Sequence, residues 1–129
     1  MKDKKTIIVI EDSQILSEII DLQVKRNFNC NVIIFENGDN IFYNINKYLP
    51  DLIILDYKFN DSNLNLNNGL EVLVELRKDS NLPVIVFSGQ RDMTKAIEIV
   101  QKGANDYISK DDDDFMDILI ESVKNIFKN

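Results

Sequence analysis

Five short runs of β-branched and aliphatic residues set the fold of this chain: Thr6–Ile10, Asn31–Phe35, Leu52–Asp56, Val84–Ser88 and Asp106–Ser109. The first, third and fourth are almost unbroken, as in Ile7-Ile8-Val9-Ile10 and Leu52-Ile53-Ile54-Leu55. A strand with one solvated face alternates apolar and polar residues; a continuous run is a strand covered on both faces. Between the runs the apolar spacing changes to that of a helix. Ser13 stands where it can cap a helix carrying Ile15, Leu16, Ile19, Ile20 and Val24 to about Asn27. Gly38 and Asp39 open a second, with Ile41, Phe42, Ile45, Tyr48 and Leu49, stopped by Pro50 and Asp51. Gly69 begins a third, with Leu70, Leu73, Val74 and Leu76; Asp92–Lys102 reads as a fourth, with Gly103 after its end. Asp112–Phe127 closes the chain as a fifth, with Phe115, Leu119, Val123 and Ile126 on its apolar face. Strand and helix therefore alternate five times, which predicts an α/β fold, a (βα)5 parallel sheet with right-handed crossovers and helices on both faces.

A length of 129 residues fits one domain, 1–129. The net charge of −7 argues against direct binding of nucleic acid or of an anionic membrane surface. There is no histidine, so no imidazole ligand or base is available, and the lone Cys30 reads as a small apolar residue near a strand start. No apolar stretch reaches the roughly 20 residues of a membrane helix, and the first residues lack a signal-peptide core. A cytoplasmic location is the expectation.

The chemistry lies where the strands end. The first run ends in Glu11 and Asp12, the third in Asp56, the fourth in Ser88 and the fifth leads into Lys110. In an open parallel sheet these carboxyl ends are neighbours, and that edge is where such sheets bind ligands. Three clustered carboxylates repel one another unless a cation joins them, and an all-oxygen donor set suits Mg²⁺ or Mn²⁺. Ser88 and Lys110 are then left to hold an anion such as phosphate. A single acid or serine at a strand end is usually a turn or cap residue. The coincidence of five polar groups at one edge points to a site.

These segments, together with Pro83–Gly89 and Gly103-Ala104-Asn105-Asp106-Tyr107-Ile108-Ser109-Lys110, resemble the response-regulator receiver domain of two-component signalling over nearly the whole chain. The resemblance implies a doubly wound, flavodoxin-like sheet of strand order 2-1-3-4-5. It implies a signalling domain that assists its own phosphorylation and dephosphorylation, not an enzyme with a separate substrate. Asp56 corresponds to the phosphoacceptor; Glu11, Asp12 and Asp56, with the backbone carbonyl of Lys58, correspond to the Mg²⁺ ligands, Glu11 acting largely through water. Lys110 and Ser88 correspond to the groups that bind phosphoryl oxygens, and Ser88 with Tyr107 to the conformational switch. The implied partners are a histidine kinase or histidine phosphotransfer protein, and an output partner or output domain. The implied signalling surface is the face of the fourth helix, fifth strand and fifth helix, with Met93, Ile97 and Lys102, where a weak dimer is an option.

The chain departs from the family pattern in three places. Asn60 stands where proline is usual. Asn68-Gly69 lies twelve and thirteen residues beyond Asp56, which implies an insertion. The usual Lys-Pro pair is Lys110-Asp111, so a trans peptide is expected, because cis costs roughly 3–4 kcal/mol without proline. The inserted segment, 58–68, is expected to be mobile and to cover part of the site mouth, unless Phe59, Leu64 and Leu66 anchor it. The Lys58 side chain is expected to face incoming hydrolytic water. The Asp111–Asp114 run is expected to occupy the first turn of the last helix, where acids meet its positive dipole end.

Three other readings share the topology. A Mg²⁺-dependent aspartyl phosphatase of the haloacid-dehalogenase type would carry a second acid at the position of Lys58. A flavin-binding domain would need a phosphate cradle, but Glu11-Asp12-Ser13 is acidic, and a colourless protein would exclude it. A receiver-like partner-binding module without phosphate control is disfavoured by the complete set of five groups.

Overall fold

A computed structural model describes residues 4–58, 69–89 and 93–128. Strands and helices alternate as β1 (Lys5–Ile10), α1 (Gln14–Asn27), β2 (Cys30–Phe35), α2 (Ile41–Tyr48), β3 (Leu52–Asp56), α3 (Gly69–Arg77), β4 (Val84–Ser88), α4 (Met93–Gln101), β5 (Asp106–Ser109) and α5 (Phe115–Lys128). The strands form one parallel sheet in the order β2-β1-β3-β4-β5.

Strand periodicity divides the interior in two. Ile7 and Val9 of β1, Leu52 and Ile54 of β3, and Ile85 and Phe87 of β4 pack with Ile20 and Val24 of α1 and with Phe115, Leu119 and Val123 of α5. Their neighbours Ile8, Ile10, Ile53, Leu55, Val84 and Val86 point the other way, onto Ile41 of α2, Val72, Leu73 and Leu76 of α3, and Ile99 of α4. Successive side chains leave a strand on opposite faces, so an unbroken apolar run feeds both layers. Each fully buried Ile, Leu or Val contributes about 1.5–3 kcal/mol relative to exposure, which is why the three central strands fix the architecture.

Local chemistry sets the helix ends. The Ser13 hydroxyl accepts from the Leu16 N–H at 3.2 Å and caps α1. Only part of the α1 apolar pattern is covered: Ile20 and Val24 are buried, whereas Ile15 and Ile19 are exposed. α2 starts at Ile41, later than the Gly38-Asp39 signal suggests. The Asn37 side chain accepts from the Asp39 N–H at 2.8 Å, and Asn40 takes a left-handed φ of 60°. This local turn competes with the helix. Leu49 ends α2 in a left-handed conformation, φ 50°, and is exposed. α4 ends in a Schellman motif: Gly103 (φ 112°) donates to Val100 O at 3.0 Å and Ala104 to Ile99 O at 3.2 Å. Arg77 grips this turn from α3. Its Nε and Nη2 donate to Gly103 O at 3.1 and 2.9 Å, and its Nη1 to Ser80 O at 3.1 Å.

The Asp111–Asp114 run precedes α5 instead of filling its first turn. Phe115 N donates to Asp112 O at 3.0 Å, Asp114 N to Asp112 Oδ1 at 3.1 Å, and Ile118 N to Asp114 O at 2.9 Å. The short acids bond their own backbone in turns, which delays the helix to Phe115. Cys30 is buried at the start of β2, as expected. The expected mobile insertion, with Phe59, Asn60, Leu64 and Leu66, and the expected α4 start at Asp92 lie outside the described residues. Among the described residues no helix is long and apolar enough to cross a membrane.

Gly69 opens α3 tight against β3. A Cβ there would stand 2.7 Å from the carbonyl oxygen of Asp56 and 3.1 Å from the Tyr57 Cα. Both are backbone atoms and cannot turn aside. Gly69→Ala is therefore expected to destabilise the fold by about 1–3 kcal/mol, the usual cost of overpacking. Its urea midpoint against that of the unaltered chain measures this; an unchanged midpoint would show that α3 shifts freely.

Candidate functional site

The parallel register gathers the expected groups at the carboxyl edge of the sheet. Asp56 pairs with Phe87, and Ser88 with Ser109. Backbone bonds extend this pairing past the strand ends: Glu11 N donates to Phe35 O at 2.9 Å, Tyr57 N to Phe87 O at 2.7 Å, and Lys110 N to Ser88 O at 2.6 Å. Glu11, Asp56 and Ser88 are buried, while Asp12 is exposed.

Lys110 ties the cluster together across the sheet. Its Nζ lies 2.8 Å from Glu11 Oε1, 3.3 Å from Asp56 Oδ2 and 4.8 Å from the Phe87 ring centroid. The second Glu11 oxygen accepts from the Ser13 N–H at 2.9 Å. Glu11 is thus held by the protein on both oxygens. Asp56 Oδ1 accepts from the Lys58 N–H at 3.3 Å. Burial, and then the charge of Glu11, push the Asp56 carboxyl up to about 7, against the opposing pull of Lys110 and the Lys58 N–H. The Lys110–Asp111 peptide is trans, as expected; the described residues contain no cis bond.

One oxygen from each of Glu11, Asp12 and Asp56 comes within 4.8 Å of the others. These donors fit a hard divalent cation. Two of these acids also meet protein donors: Glu11 meets Lys110 and the Ser13 N–H, and Asp56 meets Lys110 and the Lys58 N–H. The open hollow above them, about 430 Å³, is lined by Asp12, Asp56, Lys58, Ser88, Gly89, Lys95 and Lys110. Tyr107 sits half-buried against the core layer of α2, α3 and α4.

The structure adds two residues that the sequence reading leaves out. Lys95, on the first turn of α4, lines the hollow, and its Nζ lies 4.4 Å from the ring centroid of Tyr57, the residue after Asp56. The available signal was a lysine in the first turn of a helix, where the dipole disfavours a cation.

Comparison with known proteins agrees with this geometry. The profile of the response regulator receiver domain matches residues 7–121. The chain is 29% identical over 104 residues to the transcriptional regulatory protein KdpE of Staphylococcus aureus, covering 81% of this chain and 42% of that protein. It is 27% identical over 107 residues to the DNA-binding response regulator MtrA of Mycobacterium tuberculosis, covering 83% and 44%. The receiver domain of the Francisella response regulator 1452 superposes with a TM-score of 0.83 at 25% identity, covering 97% of this chain and 98% of that one. The chain belongs to the response regulator receiver domain family, the signalling domains of two-component systems. It spans less than half the length of these curated relatives.

Proposed function

We propose that Asp56 accepts a phosphoryl group from a phosphohistidine of a histidine kinase or histidine phosphotransfer protein. The observation that carries this reading is the convergence of Glu11, Asp12 and Asp56 within 4.8 Å, with the Lys110 ammonium 3.3 Å from Asp56. A carboxylate is a poor nucleophile toward an anion, and cations must first offset the repulsion. Asp12 and Asp56, with the Lys58 carbonyl and Glu11 through water, would hold Mg²⁺ or Mn²⁺, which supplies charge neutralisation for phosphoryl oxygens. One Asp56 oxygen attacks phosphorus, the donor P–N bond breaks with its electron pair on nitrogen, and an acyl phosphate remains. Lys110 pairs with a phosphoryl oxygen, and the Ser88 hydroxyl donates to another as a charge-assisted bond.

Drawing Ser88 toward the phosphate frees space that Tyr107 fills. Phosphate thereby shifts a pre-existing equilibrium of the α4–β5–α5 face, where an output partner, an output domain or a second copy binds. The 1–129 chain acts in this reading as one receiver domain, in the cytoplasm beside its kinase. Relatives such as MtrA carry DNA-binding function in their names.

Intact mass after incubation with phosphoramidate and Mg²⁺ tests the assignment. The expected result is one added phosphoryl group on the unaltered chain and none on Asp56→Asn. Equal incorporation in both would remove Asp56 from the role.

A further inference from the structure

We propose that Lys95 is a second anion-binding residue of the phosphorylation site, drawn from the Tyr57 ring to the phosphoryl group and so tethering α4 to the phosphate. This rests on the reading of Asp56 as phosphoacceptor and extends it to a residue outside the five groups at the strand ends.

Three observations support it. First, Lys95 lines the same hollow as Asp12, Asp56, Ser88 and Lys110, and it is partly buried there. Second, its ammonium is held 4.4 Å from the ring centroid of Tyr57. Tyr57 follows Asp56 directly, and its backbone is fixed by bonds from its N–H to Phe87 O and from the Gly69 N–H to its own carbonyl, each 2.7 Å. The partly buried ring thus places the ammonium beside the acceptor. Third, the position opposes local electrostatics. Lys95 lies in the first turn of α4, which contains no acid, and the positive end of a helix disfavours a cation there. The Tyr57 ring returns about 0.5–1 kcal/mol at an exposed site.

An arriving phosphoryl dianion changes the balance. Lys110 already serves Glu11 and Asp56, and it reaches the site from the β5 side. Lys95 reaches it from α4, on the side of Tyr57. A dianion is a far stronger partner for an ammonium than a ring quadrupole, so the lysine exchanges the ring for a phosphoryl oxygen. Two consequences follow. The site captures anionic donors more tightly, and the first turn of α4 becomes linked to the phosphate by a direct contact.

The test uses the whole chain with Mg²⁺ and phosphoramidate, followed by intact mass over time. Lys95→Met keeps the stem and removes the charge; Lys95→Arg keeps the charge. Lys95→Met is expected to raise the half-saturating phosphoramidate concentration about tenfold, the loss of one charge-assisted bond. The final extent of labelling at Asp56 and the Mg²⁺ affinity should stay unchanged, which a merely structural role would not leave intact. Lys95→Arg should restore half-saturation to near that of the unaltered chain. Normal labelling of the unaltered chain with the same half-saturation in Lys95→Met overturns this proposal alone. So does a Tyr57→Leu variant that reproduces the whole Lys95→Met effect, since the lysine would then act only through packing. No labelling of the unaltered chain overturns the Asp56 reading and this proposal together.

Discussion

Asp56→Asn is expected to be markedly more stable than the unaltered chain at pH 8 in the absence of divalent metal, with the difference vanishing near pH 4. Burial and the charge of Glu11 hold the folded-state Asp56 carboxyl near 7, well above the ordinary 3.8. The folded protein therefore keeps a proton on Asp56 that the unfolded chain has already lost. Below the unfolded value both states are protonated and the group contributes no difference. As pH rises from about 4 to about 7 the unfolded state ionises first, and stability falls through that window. Above it both states are ionised and the loss is complete. Each tenfold difference in proton affinity between the two states is worth about 1.4 kcal/mol, so the loss is on the order of a few kcal/mol. Asparagine keeps the shape and removes the buried charge. Urea midpoints of both proteins in chelator, taken at intervals between pH 4 and pH 8, measure the gap. A gap that does not widen with pH would show that Lys110 already satisfies the ionised carboxylate. Metal should narrow it, because a cation beside Asp56 stabilises the ionised form and displaces the proton.

Asp12→Ala is expected to cut Mg²⁺-dependent phosphorylation of Asp56 about 100-fold, the scale for removing one electrostatic contact to developing charge. Metal affinity should fall with it. Asp12 is exposed and contributes little to packing, so the variant should fold normally. It differs in this from Glu11, which is buried and bonded to both Lys110 and the Ser13 N–H. The two adjacent acids therefore divide the work. In the proposed reading Asp12 ligates the metal, while Glu11 positions the lysine and the turn after β1. Calorimetric titration with Mg²⁺ and the rate of mass gain with phosphoramidate report the two effects. Full metal affinity in Asp12→Ala would contradict the assignment.

The parts of this molecule that are legible in the sequence are those fixed by burial on two sides. β3, β4 and β5 begin and end where the apolar runs and their closing Asp56, Ser88 and Ser109 place them. The site follows, because in a parallel sheet strand ends are neighbours whatever the loops do. Less legible are features set by competition between local bonds. Asn37 and Asp39 hold a turn where a helix start reads equally well, and the acids at Asp112 and Asp114 bind their own backbone before α5 begins. Ile15 and Ile19 match the helical period yet remain exposed, since spacing shows which residues share a face and not how wide a neighbour covers it. Lys95 depends on α4 passing over Tyr57, a tertiary fact with only the weak trace of a cation at the wrong end of a helix.

The grip of Arg77 on Gly103 gives α4 a mechanical character. Its last turn is fastened to α3 by paired guanidinium bonds to one carbonyl, 3.1 and 2.9 Å long, and to β4 by the Asn105 N–H donating to Val84 O at 2.8 Å. At the first turn Lys95 stands over the Tyr57 ring, 4.4 Å from its centroid. A nine-residue rod of about 13 Å, by the usual rise per residue, is thus pinned firmly at its C-terminal end. Such a rod swings more readily than it slides. A small pull at its other end becomes a graded change of tilt, greatest at Lys95 and least at the pivot.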